Sequence, residues 1–335
     1  MACLVAHAEG GRAARERSRE WLSDPERAGP EADAAHTVMA ELVPRIETQL
    51  TALGWRFLAA GEAGFPTHLE ALSDPPVGLF LRGTWPAGKA VALVGSRHAS
   101  AYGREVAEYL GRELARARVT VVSGMARGVD AAAHRGALAA GGPTAAVWGA
   151  GPDRVYPSEH DQMAEEIAAH GCLMTEYPPG SPPRAHHFPE RNRIIAGLVE
   201  VVIVVEADER SGALITARLA LEEGREVMAV PGSVFSRLST GPNGLLRAGA
   251  APVLTADDVL AVLGMPPQPA ITPAAESPLL AALPPGEAVT VDHLAAAAGQ
   301  PVAQVLQGLL ELELAGQLTR ESDGRYRRSR TRHDS

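Results

Sequence analysis

Phe188-Pro189-Glu190-Arg191-Asn192-Arg193 places an aromatic ring, two guanidinium groups and an amide together, directly before the apolar run Ile194-Ile195-Ala196-Gly197. A guanidinium carries five N–H donors, so two arginines spaced by one residue are not expected to hide together in a core. A solvated helix start with one core Phe would explain these residues. So would an anion site with a stacking platform beside it, which is the chemistry of a nucleotide or nucleic-acid contact.

Glycine-rich segments repeat the anion signal elsewhere: Gly95-Ser96-Arg97, Ser123-Gly124 through Arg127-Gly128-Val129-Asp130, Gly149-Ala150-Gly151, and Ser211-Gly212. Glycine lets backbone N–H groups approach an anion closely, and a helix starting just beyond adds its partial positive charge. Arg97 and Arg127 supply full charges on two of these segments.

The elements that must position these loops alternate regularly. Apolar runs at Val91–Val94, Val119–Val122, Ala145–Trp148, Leu173–Thr175, Val199–Val205 and Glu226–Val230 read as strands. Helical spacing falls between them, from about Tyr102 to Ala117, Val129 to Ala140, Asp161 to Ala169 and Ala213 to Glu223. Near-continuous apolar strands alternating with helices predict an α/β fold, a buried Rossmann-like parallel sheet with helices on both faces. In such a sheet ligands bind beyond the carboxyl ends of the strands, where these glycines lie.

Composition narrows the function classes. The formal net charge of -9 over 335 residues disfavours coating of nucleic acid by bulk positive charge, so any polyanion contact must be a local patch. Cys3 and Cys172 are far apart and lack metal-ligand spacing, which disfavours a disulfide framework or a zinc site. Apolar runs are too short for a membrane span, and Arg12, Arg15, Arg17 and Arg19 follow the first apolar residues, the wrong order for a secretory signal. A cytoplasmic protein that needs no cofactor or metal is the expectation.

Enzymatic templates fit poorly. No Gly-x-x-x-x-Gly-Lys-Ser/Thr occurs, no Gly-x-Gly-x-x-Gly follows the first strand, and no Gly-x-Ser-x-Gly elbow is found. Asp130 and His134, spaced i, i+4, with Glu176 and Glu206 near other strand ends, could form an acid/base set. Asp130 is more simply a first-turn acid favoured by the helix dipole, and His134 a core helix histidine.

Taken together, the blocks resemble the DNA-processing protein A (DprA/Smf) family from about Phe65 to Gly264. They are Val94-Gly-Ser-Arg97, Ser123-Gly-Met-Ala-Arg-Gly-Val-Asp130, His134, Tyr156-Pro157, Glu176-Tyr-Pro-Pro-Gly180, Phe188 through Gly197, Ser211-Gly-Ala-Leu-Ile-Thr216, Ala229-Val-Pro-Gly232, and Asn243 with Gly249-Ala250. The resemblance implies an extended Rossmann domain that binds single-stranded DNA, dimerises, and loads RecA recombinase during natural transformation. It also implies that Arg97 holds a phosphate with Gly95 and Ser96, and that Phe188 lies beside a base pocket with Arg191, Asn192 and Arg193 adjacent. The full set of candidate DNA contacts adds Ser123, Gly124, Arg127, Ser211, Gly212 and Asn243, with no catalytic residue. The chain departs from many relatives in lacking a Gly-Ile-Gly signature near its N-terminus.

The expected organisation is a helical domain over 1–64, a Rossmann-like DNA-binding domain over 65–264, a Pro/Ala-rich linker over 265–278, a winged-helix-like domain over 279–328 and a basic tail over 329–335. The winged-helix expectation rests on helical patterns near Leu279–Leu283, Val291–Ala298 and Val302–Ala315, followed by two strands about a turn. Arg325, Arg327, Arg328, Arg330 and Arg332 suit either a phosphate contact or a solubilising tail. Two other readings are compatible with the sequence. One is a phosphoribohydrolase-like nucleotide-processing enzyme, since Ser211–Thr216 is similar to a glycine-rich loop of that class. The other is a duplex DNA binder acting through the winged helix.

Overall fold

The computed structural model describes residues 42–268, 278–283, 288–314, 317–321 and 324–328. The predicted helical pattern before residue 42, most of the linker and the tail lie outside the described residues. The chain forms two units, one ending at Gln268 and the other starting at Pro269.

The first unit is built on a nine-stranded sheet. A helix over 42–52 (α1) leads into β1 (Arg56–Ala59), β2 (Gly78–Gly83), β3 (Ala90–Val94), α2 (Ala101–Arg116), β4 (Thr120–Ser123), α3 (Val129–Ala139), β5 (Thr144–Trp148), α4 (Asp161–His170) and β6 (Cys172–Thr175). There follow α5 (His187–Gly197), β7 (Val201–Val204), α6 (Gly212–Glu222), β8 (Glu226–Ala229), α7 (Thr240–Arg247), β9 (Ala251–Pro252) and α8 (Ala256–Val262). Their order across the sheet is β1-β2-β6-β5-β4-β3-β7-β8-β9. Pairing is parallel from β6 to β9 and antiparallel at β2 and β1.

The period of two decides which residue meets which layer. In β3, Ala90, Ala92 and Val94 join the apolar layer under α5 and α6, which includes Ile194, Ile195, Ala213 and Ala217. Val91 and Leu93 point the other way, to Leu110 and Leu114 of α2, Ala132 and Ala133 of α3 and Leu260 of α8. Both faces are thus covered, and the strands carry no polar alternation because neither face meets water. Chain order then places the cleft: β3 is followed by β4, β5 and β6 on one side, and the chain returns to β7 and β8 on the other. Loops leaving β3 and β7 diverge there, which opens a crevice at their carboxyl ends.

One boundary differs from the sequence reading. Arg56–Ala59 is a sheet strand pairing with β2, not part of a helical segment running to residue 64. Trp55, just before it, is buried, with its ring 5.2 Å from that of Trp148. The helical spacing that ends at Leu53 gave no sign of this, because the pairing partner lies beyond the loop.

In the second unit, α9 (Pro278–Ala281), β10 (Ala288–Val289), α10 (Val291–Ala298), α11 (Val302–Leu314), β11 (Leu318–Arg320) and β12 (Tyr326–Arg328) surround a core of Leu280, Leu283, Leu294, Val305, Leu309 and Tyr326. Three helices and a β10-β12-β11 sheet make the winged-helix arrangement. Sequence patterning found the helices and the hairpin but not the two-residue β10.

His134 lies inside the first unit with Nδ1 2.7 Å from Thr144 Oγ1, and burial drops its pKa from 6.5 to about 3. Between those values the unfolded chain binds a proton that the folded chain excludes, so stability rises with pH across this window by up to about 1.4 kcal/mol per unit. The urea midpoint of the wild type should therefore fall from about pH 7 to about 5. His134→Gln should show a shallower fall; equal slopes for the two proteins would remove His134 as the cause.

Candidate nucleic-acid interface

At the switch point lies a cleft of about 720 Å³, walled by Gly95, Ser96 and Arg97 from the loop after β3, and by Asp208, Arg210, Ser211 and Gly212 from the loop after β7. Phe188, Arg191, Asn192 and Ile195 of α5 form another wall, with Tyr156 opposite the helix start. Sequence reasoning brought most of these together. It missed Tyr156, Asp208 and Arg210, although Asp208-Glu209-Arg210 stands at a strand end just before Ser211-Gly212, a position that could have flagged it.

The loop after β3 is anchored so that Arg97 is free to reach out. Glu206, buried at the end of β7, accepts through its backbone oxygen from Ser96 N (2.6 Å) and through its carboxylate from Ser100 N (2.8 Å) and Ser100 Oγ (2.6 Å). Ser100 in turn caps α2, accepting from Gly103 N at 3.1 Å. Gly128 closes the turn from the other side. It has φ +79°, and a Cβ there would stand 2.2 Å from Ser96 O, so a side chain has neither the backbone conformation nor the room.

Arg97 itself is exposed, and its guanidinium lies 4.6 Å from the centroid of the half-buried Phe188 ring. Tyr156 tilts against the same ring, with centroids 5.4 Å apart. Phe188 is seated on Gly149, and His187 before it has Nδ1 3.0 Å from Gly149 O and stacks on Tyr177 at 3.9 Å. Burial pulls the His187 pKa below its usual value, which favours the neutral ring in this contact. Across the cleft, Ser211 caps α6 by accepting from Ala213 N at 3.3 Å, so the amino end of that helix opens on the cleft.

The two arginines of α5 depart from expectation: both are buried, Arg191 at 4% exposure and Arg193 at 8%. Burial is tolerated because Arg191 meets carbonyl, amide and carboxylate oxygens and Arg193 pairs with two carboxylates, although Arg193 Nη1 has no hydrogen-bond partner among the described residues. Arg191 donates to Gly124 O at 3.0 Å, to Val147 O and to Asn192 Oδ1 at 3.0 Å, with Asp130 4.0 Å away. A Cβ on Gly124 would stand 1.9 Å from this guanidinium, which explains the glycine. Burial lowers the Arg191 pKa to about 10; Asp130 opposes that shift and Arg97 adds to it, leaving a positive charge in the cleft wall at neutral pH. Asp130 accepts from Gly124 N (3.1 Å) and Ala126 N (3.3 Å), and burial raises its pKa against the pull of Arg191. Arg193 faces away from the cleft, pairing with Glu176 at 2.5 Å and Asp74 at 3.3 Å.

The remaining predicted contacts divide. Ser123 is buried and donates to Leu93 O at 2.7 Å, while Gly124 serves Arg191 and Asp130. Arg127 is exposed and bound to Glu159 at 2.5 Å, outside the cleft lining. Asn243 braces the loop after β8 by accepting from Gly232 N (3.2 Å) and donating to Gly232 O (3.0 Å). The side chain of Asn192, although in the cleft wall, donates to Gly212 O at 3.3 Å and accepts from Arg191. Among the described residues, no group of His, Cys, Asp and Glu could hold a metal ion, and no helix is long and apolar enough to cross a membrane.

Comparison with known proteins decides the family. Residues 56–264 match DNA recombination-mediator protein A, and residues 263–324 match the DprA winged helix domain. The chain belongs to the DNA recombination-mediator protein A family. It is 40% identical to the DNA processing protein DprA of Bacillus subtilis over 220 residues, covering 65% of this chain and 74% of the relative. The crystal structure of DprA from Streptococcus pneumoniae superposes with a TM-score of 0.59 at 40% identity, covering 64% of this chain and 77% of that one. DNA processing protein A of Helicobacter pylori, whose structure is described for its single-stranded DNA binding mode, gives 0.56 at 30% identity, covering 62% and 95%. The family match begins at the strand Arg56–Ala59, in agreement with the sheet.

Glu176→Gln should leave the Arg193 guanidinium buried with Asp74 alone and lower the unfolding free energy by about 3 kcal/mol. Denaturant melts of the variant test this, and a loss below about 1 kcal/mol, the value of a surface pair, would contradict the buried assignment.

Proposed function

We propose that the protein is a non-enzymatic, single-stranded DNA-binding recombination mediator. It acts in the cytoplasm as a homodimer, protects incoming DNA and loads RecA. The observation that carries the DNA-binding reading is the exposed Arg97 guanidinium stacked on Phe188 at the mouth of a cleft walled by an α-helix amino terminus. Arg97, Arg210 and the amino end of α6 attract phosphates, while Phe188 and Tyr156 offer ring faces to bases. Stacking contributes roughly 1–3 kcal/mol per base and is blind to sequence. Asn192 and Asp130, which could read base edges, are committed to groups within the protein, in keeping with sequence-tolerant binding. The Helicobacter relative, described for single-strand binding, supports the same ligand here.

The observations fit the rival readings less well. A phosphoribohydrolase-like enzyme needs an acid near the glycine-rich loop. Glu222 closes the opposite end of α6, roughly 15 Å along the axis from Gly212, and pairs with Arg218 at 3.5 Å. For duplex binding through the winged helix, α11 reads Val-Ala-Gln-Val-Leu-Gln-Gly-Leu-Leu-Glu-Leu-Glu-Leu, without a Lys or Arg to meet phosphates.

Arg97→Ala should weaken binding of oligothymidine about tenfold or more and flatten its dependence on salt, as read by fluorescence anisotropy. Unchanged affinity with an unchanged salt slope would remove Arg97 from the contact. Deleting residues 265–335 should preserve single-strand binding; its loss would transfer the activity to the winged-helix unit.

A further inference from the structure

Beside the cleft, the carboxyl edge of the sheet carries a second depression of about 500 Å³, lined by Ser100, Tyr102, Ser233, Ser236 and Ser239 among others. The two hollows share the Glu206 support: on one side it holds Ser96 of the cleft, on the other it holds Ser100 of the groove. At the groove's rim stand Phe235, 96% exposed, and Val234, 81% exposed. Next to them Arg237 extends a side chain that is 86% exposed, its Nη2 3.6 Å from Asp208 of the cleft wall.

An exposed apolar residue alone is ordinary on a protein surface. This one is presented by a braced turn. Ser236 N donates to Ser233 O (3.0 Å) and Phe235 N to Ser233 Oγ (3.3 Å), while Asn243 clamps Gly232 and Tyr102 Oη donates to Pro231 O (3.1 Å). Ala207 N, one residue before the cleft, donates to Leu238 O at 2.7 Å and fixes the far end of the turn. The ring is held outward without a partner from its own core, at the end of a hydroxyl-lined groove and beside an arginine. An aromatic face, a cation and hydroxyls in one track match an extended strand of nucleic acid better than an apolar protein face.

We propose that a single strand seated in the cleft continues across the Asp208–Arg237 edge into this serine-lined groove, where Phe235 stacks on a base and Arg237 meets a phosphate. The Ser233 and Ser236 hydroxyls donate to phosphate or sugar oxygens and read no sequence, while the Ser100 hydroxyl is committed to Glu206. This inference rests on single-strand binding in the cleft and extends it by a second stacking platform on a different loop.

An oligothymidine length series on the full chain, read by anisotropy, tests it. Because the Phe235 ring is solvent-exposed, its removal should not disturb folding. Phe235→Ala should bind the shortest strands that the wild type holds with unchanged affinity and lose about tenfold on longer ones, with Phe235→Tyr restoring the loss. Arg237→Ala should lower the salt slope by roughly 0.7 on long strands only. Affinities equal to wild type at every length would overturn the proposal. So would a Phe235→Ala protein that binds all lengths normally but loses self-association in sedimentation, since the turn would then be a contact between copies of this chain. A wild type that binds no strand of any length would bring down the underlying function itself, an outcome distinct from a defect confined to long strands.

Discussion

Arg191 occupies the place where the ends of β4 and β5 meet α3 and its own helix, and its guanidinium joins them. It donates to the carbonyl of Gly124 beyond β4, to that of Val147 within β5 and to Asn192 on its own helix, while Asp130 of α3 faces it. Carbonyls at the carboxyl end of a parallel sheet point toward whatever binds there, and unpaired ones would repel a phosphate. A buried cation turns that edge from repulsive to attractive. Its desolvation is offset by several donors finding acceptors at once, which a lysine, lacking the planar fork, could not match.

A second buried charge works in the opposite sense. Glu206 holds the loop after β3 through Ser96 and Ser100, so the loop is rigid at its base while Arg97 at its tip stays in solvent. Rigid bases and exposed tips suit a binding surface. The backbone does not have to be ordered when the ligand arrives, and the mobile part is one side chain whose stacking on Phe188 already limits it. For the proposed single strand such a site would tolerate different bases, because each base offers a π-face and phosphates repeat along the strand irrespective of sequence.

The strongly negative chain and the proposed anionic ligand are reconciled by this local arrangement. Acidic side chains near the cleft are engaged by the protein itself: Asp130 by backbone N–H groups and Arg191, Asp208 by Arg210 N and Arg237, Glu206 by Ser100. Arg97 and Arg210, in contrast, lie on exposed loops. Net charge governs long-range attraction, whereas these pairings govern what a strand meets on contact.

The sequence by itself determined the fold class and the edge of the sheet at which the candidate site lies. Apolar runs alternating with helical spacing permit little besides a doubly covered parallel sheet, and such a sheet binds ligands at its carboxyl edge, where Gly95-Ser96-Arg97 and Ser211-Gly212 had to lie. It also singled out Phe188, which folding sets in the cleft wall. The division of labour among the charged residues was decided by tertiary structure alone. Arg191 and Arg193 look alike in sequence, yet one braces the cleft floor and the other pairs with Glu176 and Asp74 on the far side, because neighbouring odd positions on a helix diverge by about 200°. Arg127 and Asn243 bind Glu159 and Gly232, partners 32 and 11 residues away that no local pattern announces. The strand Arg56–Ala59 likewise exists only because β2 offers it an edge. Local periodicity carries the backbone's choices, but a charged group's role depends on which opposite charges and carbonyls folding brings within hydrogen-bond reach, and that is settled in three dimensions.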